Sequence, residues 1–153
     1  MSLVTTLREM DAARAIDPVQ GNQSSEAKRW LGLAAGHLDT ATAVAESDPA
    51  MALEALHQAC RKSLVGHMLV AGWRPAGQNK HALMVTYGQA ALAELFTETE
   101  LDGLEIIRRL RNTADYDDPT PPSVEQLRAL IAFARRIHDA CMTNLPTARI
   151  SIR

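Results

Sequence analysis

Apolar side chains recur every three or four residues through most of this chain, a spacing that commits it to packed amphipathic helices. Leu3, Leu7 and Met10 open the pattern, and Trp30, Leu31, Ala34, Leu38 and Ala41 continue it. Leu53, Leu56, Cys60, Leu64, Met68 and Ala71 follow, then Leu83, Tyr87, Ala91 and Leu95. Leu104, Ile107, Leu110 and Ala114 form the next stripe, and Val124, Leu127, Ile131, Ala134, Ile137 and Cys141 the last. β-Branched runs are nearly absent and aromatics make up only 4%, so the material for a sheet is lacking. The expected fold is all-α: an up-and-down antiparallel helical bundle with a short extra N-terminal helix.

Local signals divide the stripes. The leading helix should stop near Asp17-Pro18, and the polar stretch from Gln20 to Ser24 reads as a flexible joint. Residues 1–23 are therefore read as N-terminal helix and linker, 24–145 as the bundle and 146–153 as a loose tail. A serine cap at Ser24 or Ser25 should start the first bundle helix, which runs to about Ser47. Asp48-Pro49 reads as a cap followed by proline in the first turn, and Gly72 as the end of that second helix. Arg74-Pro75-Ala76-Gly77 reads as a turn before a third helix from about Lys80 to Phe96. Thr99 is expected to cap the fourth helix, which Asp117-Asp118-Pro119-Thr120-Pro121-Pro122 halts. Ser123, with Gln126 three residues on, spells a capping box for the fifth, which Pro146 closes.

The 153 residues suffice for one domain with a real core. A formal net charge of -2 gives the molecule no overall attraction for nucleic acid, so any such site must be a local basic patch. Cys60 and Cys141 sit in apolar helical patterns and read as reduced core residues. No signal peptide and no membrane-spanning apolar run is read, so the expected location is cytoplasmic.

Two arrangements invite chemistry. His57-Gln58-Ala59-Cys60 and His138-Asp139-Ala140-Cys141 repeat a His-x-x-Cys spacing, from which facing helices could build a Cys2His2 zinc site. The plainer reading of both cysteines is as small core hydrophobes, and no metal or other cofactor is expected. On the fourth helix, Arg108, Arg109 and Arg111, joined by Arg135 and Arg136 if the last helix adjoins, could contact phosphates. Glu105, Asp115, Asp117 and Asp118 would balance them as an ordinary charged face, with Arg111 and Asp115 as an i,i+4 ion pair worth about 0.3–0.5 kcal/mol. His81, near a helix start, reads as capping its own turn, with contact to a partner as the other option.

Three stretches carry a resemblance. These are Ala52 to Lys62 continuing into Gly72-Trp73-Arg74-Pro75, then Lys80-His81-Ala82-Leu83, and Arg108 to Tyr116 with its Arg111-Asn112 pair. With them the segment from Ala27 to Leu145 resembles the HEPN superfamily, especially its small actinobacterial-type members. The resemblance implies a helical bundle, a two-fold homodimer, and association with RNA, often in toxin–antitoxin or defence systems beside a nucleotidyltransferase. In the active ribonucleases of the superfamily an Arg-Asn pair is followed within a few residues by histidine, and the two halves of a dimer cut RNA without metal. Here the histidine window reads Asp115-Tyr116-Asp117-Asp118-Pro119. Aspartate titrates too low and tyrosine too high to shuttle protons near neutrality unless strongly shifted.

The expected function is accordingly an HEPN-like interaction module, homodimeric and RNA- or toxin–antitoxin-associated, without the usual catalytic histidine. The alternative is an active metal-free endoribonuclease using Arg111 and Asn112 with Asp115 or Tyr116. Tyr116 as an acceptor of nucleotide modification is a further reading, although relatives so modified place a histidine where this chain has Ala114.

Overall fold

The computed structural model describes residues 1–114 and 122–152. In chain order the elements are α1 (Leu3–Ala12), β1 (Ile16–Pro18), α2 (Ser24–Val44), α3 (Pro49–Ala71), β2 (Trp73–Pro75), α4 (Lys80–Ala91), α5 (Glu98–Ala114) and α6 (Val124–Thr143). The all-α expectation holds, apart from a two-stranded ribbon.

α3 is the hub, packing against α2, α4, α5 and α6. Its sequence explains this position. Ala52, Leu53, Ala55, Leu56, Ala59, Cys60, Leu64 and Met68 turn apolar surface in nearly every direction, and a helix apolar all round must be enclosed. α2 and α3 form an antiparallel hairpin. Gly66 sits against Ala27 and Leu31 while Lys62 meets His37, so partners on the two helices run in opposite directions. α6 likewise runs against α2, with His138 on the carbonyl of Leu31 at one end and Arg128 on Glu46 at the other.

Several boundaries follow from local chemistry. Asp48 Oδ1 accepts from Met51 N at 3.1 Å, Pro49 occupies the first turn, and Gly72 closes α3 with φ +101. Ser123 and Gln126 form the reciprocal capping box of α6. α2 differs from expectation: Gln23 is the cap residue, it makes no side-chain cap, and Asn22 Oδ1 accepts from Ser24 N instead. α5 differs too. Thr97, not Thr99, caps it, because Thr97 Oγ1 accepts from Glu100 N while Glu100 Oε1 accepts from Thr97 N.

The ribbon corrects the reading of Arg74 to Gly77 as only a turn. β1 and β2 pair antiparallel in the register Ile16↔Pro75, Asp17↔Arg74 and Pro18↔Trp73. It draws α1 onto α4, where Leu7 is completely buried. The C-terminal tail is also held rather than loose. Trp73 Nε1 donates to the carbonyl of Ile150, Ile150 N to that of Ala71, and Arg8 Nε to that of Ile152. Among the described residues, no helix is long and apolar enough to cross a membrane.

Candidate functional site

The seam between α3 and α5, with the start of α4, brings a connected set of polar side chains together between helices. On α3, Glu54, His57, Gln58 and Arg61 fall at i, i+3, i+4 and i+7, one polar stripe on a helix otherwise apolar apart from Lys62, Ser63 and His67. α5 faces that stripe with Arg111 and Asn112, and the start of α4 adds His81.

Arg111 Nε donates to Glu54 Oε2 at 2.6 Å, and its Nη1 donates to Asn112 Oδ1 at 3.3 Å. The other carboxylate oxygen, Glu54 Oε1, accepts from Gln58 Nε2 at 3.0 Å. Gln58 Oε1 in turn accepts from Arg61 Nε and Nη2 at 3.1 and 3.0 Å. Burial alone would raise the Glu54 pKa, but the hydrogen bonds from Arg111 and Gln58 outweigh it, and the carboxyl ends below its ordinary value. Glu54 is therefore ionised and neutralises Arg111. Arg61 is different: its partners are the neutral Gln58 amide and the face of Trp30, 5.7 Å from the ring centroid. Burial lowers the Arg61 pKa without depriving it of its charge near neutrality.

Beside these cations stands a pair of imidazoles. His57 Nε2 and His81 Nδ1 share a hydrogen bond, and the rings stack with centroids 4.7 Å apart and planes 22° apart. His57 is 4% exposed, whereas His81 is partly open to solvent. Burial first, then the charges of His81 and Arg111, push His57 down to about 4, so it is neutral near pH 7. His81 is lowered as well, by burial and then by Arg61 and Arg111. The crevice under the pair measures about 10 Å3 and is walled by Cys60, Leu64, Met84 and Val85. That is room for one water, so any larger ligand must lie across the surface of the seam.

The sequence-based candidates fare differently. Arg111 and Asn112 come together in this seam. Asp115 and Tyr116, with Asp117 and Asp118, lie outside the described residues. Arg108 and Arg109 both engage Glu105, at 2.6 and 3.0 Å, so one carboxylate offsets that part of the basic face in part. Arg135 approaches Asp39 at 3.7 Å and Arg136 meets Glu100 at 2.8 Å, each paired on its own rather than pooled with Arg108, Arg109 and Arg111.

The four residues of the zinc reading occupy other roles. His57 is taken up by His81, and His138 Nε2 bonds the carbonyl of Leu31 at 2.9 Å. Both cysteines are buried, and burial pushes the Cys60 thiol up to about 12 and Cys141 higher still. Among the described residues, no three His, Cys, Asp or Glu side chains are grouped to hold a metal ion. His81 does not cap its own turn; it partners His57.

The sequence reading missed Glu54, Arg61 and the meeting of His57 with His81. The polar stripe on α3 was the available signal for the first two. The Arg-Asn helix brings no described histidine of its own to the seam, yet α3 and α4 supply two.

Comparison with known proteins agrees with the fold. A family model, the HEPN domain, matches residues 27–145. No curated protein and no solved structure gave a match. The matched segment spans α2 to α6 and contains every residue of the seam. The chain belongs to the HEPN domain family.

Proposed function

We propose that this chain is an RNA-associated HEPN module of the toxin–antitoxin or defence type, which pairs with a second copy of itself and meets RNA at the α3–α5 seam. The observation that carries the reading is the state of Arg111. Its guanidinium is fixed by Glu54, yet 26% of its side chain, and 45% of that of Glu54, stays exposed. A long side chain held in one orientation at a surface gives up rotamer freedom for an exposed ion pair of small intrinsic worth. A preset guanidinium is, however, well suited to a phosphate. Arg61, whose partners are neutral, adds a cation in the same stripe. The shallow crevice favours a polymer lying across the seam over an enclosed small molecule.

The test is binding of a fluorescent single-stranded oligoribonucleotide, followed by anisotropy in chelator, with sedimentation in parallel. The wild type is expected to bind, with affinity that falls as salt rises, and to sediment as a dimer at micromolar concentration. Arg111→Ala should weaken binding about tenfold while leaving the helical spectrum unchanged. Equal binding by wild type and variant would remove the seam from the reading, and a monomer would remove the pairing.

A second reading, that the module also cleaves RNA, is favoured by one observation. The His57–His81 pair puts groups able to exchange protons beside Arg111.

A further inference from the structure

Lysine is scarce in this chain, and one of its three copies has an unusual neighbour. Lys28 and Lys80 are exposed, whereas Lys62 is half-buried between α3 and α2, with its Nζ 2.8 Å from His37 Nε2. Among the described residues no carboxylate pairs with Lys62, so the usual partner that holds a lysine protonated is missing. We propose that Lys62 is an acylation site, a nucleophilic amine that takes an acyl group from an acyl phosphate, with His37 as its proton acceptor and Arg61 drawing the anionic donor. The proposal is independent of the RNA-associated reading and stands or falls without it.

The direction of the contact is set by the chemistry of the two groups. An ammonium can only donate, so His37 Nε2 accepts and the neutral ring carries its own proton on Nδ1. Burial first, then the charges of Lys62 and Arg61, hold His37 below its ordinary 6.5 against the opposing pull of Glu54, so it is neutral near pH 7. Lys62 is itself held below its ordinary value, by burial and then by Arg61 of α3 and Arg29 of α2. A lysine placed beside a base and near two guanidiniums is the free amine more often than a solvated one.

The surrounding charges favour an anionic donor. Arg29 is offset by Glu26 at 2.6 Å, but Arg61 hydrogen-bonds only the neutral Gln58 amide and lies over the face of Trp30. Trp30 and His37 stand seven residues apart on α2 and so share the face that Arg61 and Lys62 reach from α3. A doubly charged acyl phosphate approaching this face meets two cations with no carboxylate bound to either. The exposed Lys28 and Lys80 have no histidine beside them among the described residues.

The step balances without metal or redox partner. Lys62 loses one proton to water and becomes the amine, still turning an N–H towards His37 Nε2. Its lone pair attacks the acyl carbon, the new C–N bond forms, and the bond from that carbon to the phosphate oxygen breaks. The attacked nitrogen, made acidic by the attack, gives its second proton to His37, which passes it to the departing phosphate. The products are inorganic phosphate and a neutral amide whose N–H can still donate to His37.

The experiment incubates the whole protein with acetyl phosphate and reads acetylation of each lysine by peptide mass mapping, with Lys28 and Lys80 as internal references. Exposure alone ranks Lys62 last, whereas it is expected to react at least about tenfold faster than either reference. In urea the three lysines should react at similar rates, which ties the preference to the fold. His37→Gln keeps an acceptor for the lysine N–H but cannot take its proton. That variant should bring Lys62 down to the level of the references, with the helical spectrum unchanged. Arg61→Gln should slow the reaction with acetyl phosphate more than that with the uncharged N-hydroxysuccinimide ester of acetic acid. Equal slowing with both reagents would remove Arg61 from the proposal. Lys62 reacting no faster than Lys28 and Lys80, a preference that persists in urea, or one undiminished in His37→Gln overturns it altogether.

Discussion

Arg111 Nε donates to Glu54 Oε2 at 2.6 Å, joining α5 to α3 across 57 positions of sequence. The contact sets the local charge balance. Glu54 neutralises Arg111 where it stands, while Arg61 hydrogen-bonds only the neutral Gln58 amide and feels the Glu54 charge at longer range. On the proposed reading, phosphate would be drawn by this local site and not by the molecule as a whole, whose net charge is -2.

Replacing Glu54 with glutamine tests that balance. The amide keeps an acceptor for Arg111 but removes the opposing charge. Stability should fall by less than about 1 kcal/mol, since the pair is partly exposed. The plot of log affinity for single-stranded RNA against log salt should steepen by about 0.7, as one more phosphate becomes neutralised. Chemical denaturation and salt-titrated anisotropy read the two effects, and an unchanged slope would mean that Glu54 does not offset Arg111 towards phosphate.

Acid should destabilise the fold in a window set by two enclosed histidines. Burial drops both His57 and His67 from the ordinary 6.5 to about 4. A base with a depressed folded pKa takes up fewer protons folded than unfolded between those values, so stability rises with pH there. It is full above about 6.5 and lost as the pH falls towards 4. Between pH 7 and pH 5 each histidine should cost roughly 2 kcal/mol. Urea denaturation across this range measures the loss, and His67→Gln should remove about half of it whatever its stability at pH 7.

Two threonines near the start of α5 offer a sharp local comparison. Thr97 closes a reciprocal cap with Glu100, whereas Thr99 lies inside the helix. Thr97→Ala should lower stability by about 1 kcal/mol, and Thr99→Ala by no more than a few tenths. Thermal melts of the two variants check this, and equal losses would contradict the cap.

How far the sequence reveals this molecule depends on the range of each interaction. Asp48-Pro49, Gly72 and Ser123 with Gln126 mark their helix ends through contacts within a few residues, so their roles are readable directly. Thr97 with Glu100 and Thr99 with Asp102 offer the same three-residue spacing, so local pattern alone does not separate the two starts; the structure uses Thr97 with Glu100. The ribbon was hidden because each strand is three residues long, ends in proline, and finds its partner some 57 positions away. The tail owes its order to backbone groups of Ile150 and Ile152, which no side-chain pattern announces.

The candidate site divides in the same way. Arg111 and Asn112 were visible as a motif on one helix. His57 and His81 belong to different helices and come together only when α4 folds back on α3, so neither spacing nor composition could join them. A search restricted to the few residues just after Asn112, Thr113 to Pro119, finds no imidazole, and the seam contains two. The stripe of Glu54, His57, Gln58 and Arg61 on α3 was the readable hint, since four polar residues aligned on a buried helix need partners.

The most direct measurement is a nitrogen-15 imidazole spectrum of the protein titrated with a single-stranded oligoribonucleotide in chelator. If RNA lies across the α3–α5 seam, the His81 signals should move first and furthest and those of His57 should follow, while His67 and His138 in the core stay in place. Saturable binding that leaves the His57 and His81 resonances unmoved would place RNA elsewhere on the molecule and contradict the account.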